Sequence, residues 1–269
     1  MKAFVQTTQG VVLSDTEGVV WSADGQGVVK VGRTDDRVPN LEADGPRAAW
    51  VDNSAKVPAF VVLDQASGEV VSSELTNEQG MGTLRDEANP AVIFALDGDE
   101  LYVRDPRGAL AWNFVTDDER VLGAANGFTI DDVRSDKIAY SSEEQSDTGS
   151  TYRVGTDLLS GKGLPVWDGF ELSPGTTYLL GEDEPDKAAV FNVATGQVID
   201  ANQAGYDFFA GFGWVDDDTF VGLGLNKPYD STPVDLLTCD VAGPCEVTAA
   251  AIGSVDDGIV LPNGASIDG

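Results

Sequence analysis

Carboxylates are the chemistry this sequence holds most of: 46 Asp and Glu stand against 16 Lys and Arg, with no histidine among 269 residues. Without an imidazole there is no Ser-His-Asp or Cys-His nucleophile and no histidine-ligated metal. Acid–base work near neutral pH then falls to paired carboxylates, one protonating a leaving oxygen while the other serves as base or nucleophile. The acids bunch as Glu182-Asp183-Glu184 with Asp186, Asp216-Asp217-Asp218, Asp97 with Asp99, and Asp256-Asp257. None of these makes the spaced Asp-x-Asp-x-Asp-Gly loop with a later bidentate Glu that holds calcium. Short acidic runs are ordinary turn material, so no metal, no cofactor and no catalytic residue is assigned to them.

The two cysteines, Cys239 and Cys245, flank the loop DVAGP. A hairpin on that loop sets them face to face, which favours a disulfide over two free thiols, and a zinc site would want more Cys or His than the chain has. A bridge within the chain points to an oxidising compartment. The run GYDFFAGFGW gathers Tyr206, Phe208, Phe209, Phe212 and Trp214. It reads as a binding patch on a loop or, preferably, as a loop and innermost strand whose aromatics wedge between sheets.

The formal charge of −30 repels phosphate backbones and anionic bilayers, so nucleic acid and membrane surfaces are poor partners. No apolar run is long enough to cross a bilayer as a helix, and the first residues carry no signal-peptide core. A soluble piece whose targeting segment is missing is the expectation.

These groups must be positioned by strands. Residues 188–200, AAVFNVATGQVID, read as a hairpin: Ala189, Phe191 and Val193 alternate with other residues, Gly196 supplies the turn, and Val198-Ile199 begins the return. Ahead of it lie the strand YLLG and the strand Phe170 to Leu172, joined by Ser173-Pro174-Gly175. Similar turns end at Gly25, Gly68, Gly108, Gly161, Gly196 and Gly243, between 35 and 53 residues apart. The longest gap is attributed to the polar insertion SEEQSDTGS at 142–150. A second series of turns falls at Gly10, Asp44-Gly45, Asn89-Pro90, Ser135-Asp136, Pro174-Gly175 and Asp217-Asp218, each followed by a short apolar strand. No segment carries a helical apolar stripe. Two turn series of one period predict an all-β chain of about six four-stranded antiparallel units, the period of β-propeller blades, with seven as the alternative. Residues 1–269 are read as one propeller domain. Closure is expected from both termini, residues 251–262 pairing with residues 3–14, because AFVQTTQG can be laid against AVFNVATG.

The stretches LSPGTTYLLGEDEPDKAAVFNVATGQVID and EADGPRAAWVDNSAKVPAFVVLDQASGEVVSS resemble WD-repeat-like or YVTN-type propeller blades. The chain departs from true WD repeats in having no Gly-His pair, and its lone Trp167-Asp168 lies just before a first strand. The bridge at Cys239 and Cys245 is similar to the cysteine-bridged last blades of secreted bacterial propellers. That likeness implies an extracellular or cell-envelope location; because most acids lie in turns and the repeats leave no catalytic insertion, the expectation is a monomeric, non-catalytic domain presenting loops to a protein or glycan partner. The alternative is a carboxylate-only, glycosidase-like propeller, which requires its acids on the inner strands.

Overall fold

The computed structural model describes residues 1–34, 41–52, 54, 58–74, 91–105, 108–123, 128–142, 151–228, 232–255, 259–260 and 266–267. Two compact units divide the chain, Met1–Asn126 with Val260–Ala265, and Gly127–Ile259 with Ser266–Gly269. Among the described residues there is no α-helix.

The first unit holds three sheets. Sheet 1 is β1 (Ala3–Gln6), β2 (Gly10–Ser14), β3 (Val19–Asp24) and β4 (Gly27–Arg33); sheet 2 is β5 (Leu41–Asp44), β6 (Arg47–Asp52), β7 (Ala59–Asp64) and β8 (Glu69–Glu74); sheet 3 is β9 (Val92–Asp97), β10 (Glu100–Asp105), β11 (Gly108–Asn113) and β12 (Asp118–Gly123). In the second unit, sheet 4 is β13 (Phe128–Arg134), β14 (Lys137–Ser142), β15 (Tyr152–Gly155) and β16 (Lys162–Gly163); sheet 5 is β17 (Asp168–Leu172), β18 (Tyr178–Glu184), β19 (Lys187–Asn192) and β20 (Val198–Asp200); sheet 6 is β21 (Phe208–Trp214), β22 (Thr219–Leu225), β23 (Val234–Asp240) and β24 (Cys245–Gly253). Each sheet is an antiparallel meander in chain order, so neighbouring strands need only hairpin turns. Six four-stranded antiparallel blades make the chain a six-bladed β-propeller.

Burial explains the strand compositions. Middle strands β6 and β7 are buried on both faces, because they lie between sheets 1 and 3, and they are continuously apolar rather than alternating. First strands lie against one another, β1 with β5 and β5 with β9 in the first unit, β13 with β17 and β17 with β21 in the second. Fourth strands such as β4 and β12 are largely exposed. Within the first unit, Ala3, Val5, Val12 and Val20 of sheet 1 share a core with Leu41, Trp50 and Leu63 of sheet 2. A β-carbon on Gly32 would lie 2.7 Å from the Trp50 ring, so that indole fits only against glycine. In the second unit, Tyr152, Val154 and Leu164 pack on Leu172, Leu179 and Phe191, and Leu180 and Val190 pack on Phe209, Phe220 and Leu237.

Turns between first and second strands are stitched to their neighbours. The Thr8 amide donates to the Gly45 carbonyl at 2.8 Å, and the Gly98 amide donates to Asp44 at 2.9 Å. Arg47 donates to the Gly98 carbonyl at 2.8 Å and to Asp99 at 2.7 Å. In the second unit the Gly175 amide donates to Asp217.

Two expectations are corrected. The third blade is displaced by one strand from the sequence reading: Gly108 opens its third strand, not its fourth, and AVIFAL is its first strand, not its second. Its closing turn is instead Asn113 to Asp117, where Asp117 adopts φ of 60° in the place that glycine holds elsewhere. With Asp117 in the series the spacings narrow to between 35 and 49 residues, so much of the longest gap came from the misplaced phase. The Asn89-Pro90 turn and residues 143–150 lie outside the described residues.

The expected pairing of residues 251–262 with residues 3–14 is not formed among the described residues. Ala3–Gln6 pairs with Gly10–Ser14, Val234 at the start of β23 pairs with Gly253, and β25 (Ile259–Val260) pairs with β26 (Ser266–Ile267). The reason lies at Thr7, whose hydroxyl accepts from the Gln9 and Gly10 amides at 3.1 Å and turns KAFVQTTQGVVLSD into a first hairpin. Sheet 1 thereby takes all four strands from its own segment.

Candidate functional site

Four first strands share an irregularity that places side chains. In β9, β13, β17 and β21 one residue is left unpaired by a β-bulge: Phe94, Asp131, Phe170 and Phe212 respectively. Three blades thus put phenylalanine at the bulge and the fourth blade puts a carboxylic acid there. The residues that follow are Ala95, Asp132, Glu171 and Gly213, so the acids gather where β13 meets β17.

Asp132 is buried and accepts a hydrogen bond from the Leu172 amide at 2.8 Å, tying sheet 4 to sheet 5. Arg134, two residues on, donates to Glu171 at 2.7 Å and places its Nε 3.9 Å from Asp132. One guanidinium is therefore shared by two carboxylates from adjacent first strands. Burial pushes Glu171 above the usual carboxylate range, and Asp132 adds to the rise, while Arg134 opposes it. The Trp214 indole donates to the Glu171 carbonyl at 3.0 Å.

Asp131 faces the Tyr152 hydroxyl on β15. Its pKa is raised to about 7, chiefly by burial and then by the charges of Asp168 and Asp132, while the Tyr152 hydrogen bond opposes the rise. Tyr152 is pushed well above the ordinary phenol range by its own burial, then by Asp131. Its hydroxyl lies against Gly169, where any β-carbon would collide with it. Asp168, at the exposed start of β17, pairs in register with Glu182, whose carboxylate is raised by burial and then by Asp168 and Asp186 while the Asp186 amide opposes the shift.

The other singled-out residues fall as follows. Cys239 and Cys245 are bonded across the β23–β24 hairpin, directly opposite in register. The aromatic run is first strand and wedge: Phe209 is buried edge-on to Phe220, Trp214 stacks on Tyr178 of sheet 5, and the Tyr206 hydroxyl donates to Asp235 at 2.9 Å. Acidic turns serve the backbone or a neighbouring cation. Asp216 accepts from the Asp218 amide at 3.0 Å, Asp183 pairs with Lys187 at 2.8 Å, and Asp99 pairs with Arg47. Asp256-Asp257 lies outside the described residues, and among the described residues no three acids or cysteines gather at metal-ligating distance. Among the described residues no helix is long and apolar enough to cross a membrane.

The sequence reading missed Asp131, Asp132, Arg134 and Glu171. The available signal was the column Phe94, Asp131, Phe170, Phe212, which appears only once the third blade is correctly phased.

No family model matches the sequence, and no curated protein matches it. Solved structures match the fold. The β-propeller domain of the Trilobed protease from Pyrococcus furiosus, described as having an open velcro topology, superposes with a TM-score of 0.55 at 11% identity over 92% of this chain and 84% of that one. Pyrococcus horikoshii acylaminoacyl peptidase gives 0.55 at 13% over 90% of this chain and 44% of that one. PorZ of Porphyromonas gingivalis gives 0.53 at 13% over 94% of this chain and 38% of that one. The chain thus spans less than half the length of the last two. At these identities the likeness is one of fold.

Proposed function

We propose that the chain is a non-catalytic binding propeller of the cell envelope or exterior, one domain over residues 1–269, presenting its turns to a protein or glycan partner. The observation that carries this reading is the Asp132–Arg134–Glu171 arrangement. The acids that a carboxylate enzyme needs do stand on first strands, but two are committed to one guanidinium and one of those also to a backbone amide. A general acid or nucleophile must release its partner to reach substrate, and here release would unpair a half-buried arginine and break a tie between sheets. Blade patterns like those of the WD-repeat-like and YVTN types fit the same reading, as does the Cys239–Cys245 bridge, which favours an oxidising compartment. PorZ, a structural neighbour, is described as a bacterial surface component. Chemical fluorophore labelling and incubation with an envelope fraction of the source cells tests the proposal. Saturable retention, competed by unlabelled protein, is expected; retention that rises linearly without competition would contradict it.

A further inference from the structure

We draw no further inference here: the strongest candidate, the outer edge of sheet 1, where Val28 and Val29 of β4 stand exposed beside Lys30, is an unpartnered strand edge, and nothing in the structure shows what covers it.

Discussion

Asp131 is ionised at a cost that its position sets. Its folded pKa of about 7 stands above the ordinary 3.8, so between those values the folded chain keeps a proton that the unfolded chain releases. Stability therefore falls as pH rises from about 4 to about 7, and the whole penalty is present above that window. Glu171, also raised, adds to the same slope. Asparagine at 131 stays neutral and can still accept from Tyr152. Asp131→Asn should melt higher than the parent at pH 8, with the difference shrinking toward pH 5; a difference independent of pH would show that Asp131 is not the group concerned. Nothing in the sequence around Asp131 marks it by itself, because one Asp among 46 acids carries no signal. The identity of the residue matters only against Phe94, Phe170 and Phe212, and that comparison needs the register.

Strand ends repeat one device, a side chain that closes the turn before the fourth strand. The Asp64, Asn113, Asp157 and Asn192 side chains each accept from the amide three residues on, at Ser67, Thr116, Ser160 and Thr195, at 2.7 to 2.9 Å. The following residue is Gly68, Asp117, Gly161 or Gly196. The sequence shows the glycine members of this series plainly, which is why four-stranded units and their approximate period were legible. It hid the member with Asp117, because aspartate also tolerates a left-handed backbone and here accepts from the Trp112 indole at 3.0 Å. Gly196 has φ of 79° with nothing closer to its β position than Leu164 at 3.9 Å, so only conformation opposes a side chain there. Gly196→Ala should lose about 1 kcal/mol, while Gly25→Ala, whose β position is open and whose φ is not left-handed, should be near neutral. Chemical denaturation of the two variants checks this, and equal losses would contradict it. The terminal hairpin was misread for a related reason: Thr7-Thr8-Gln9-Gly10 looks like the end of a third strand, yet the Thr7 hydroxyl makes it a first turn.

Across the whole sequence 46 acids stand against 16 basic residues, a charge of −30, so at most a minority of them can be paired one to one with a cation. Self-repulsion of that size weakens as salt screens it over a Debye length of about 8 Å at physiological ionic strength. The melting temperature should rise between low and high sodium chloride, and a fall would show that the acids are compensated. The same charge favours basic partners, while the commitment of Asp132 and Glu171 to Arg134 argues against turnover. The measurement that separates these most directly is mass spectrometry on glycan and peptide arrays after incubation with the protein and with Glu171→Gln. Retained protein on ligands of unchanged mass, for both proteins alike, is the predicted result; ligands cleaved by the parent and left whole by Glu171→Gln would contradict a non-catalytic propeller.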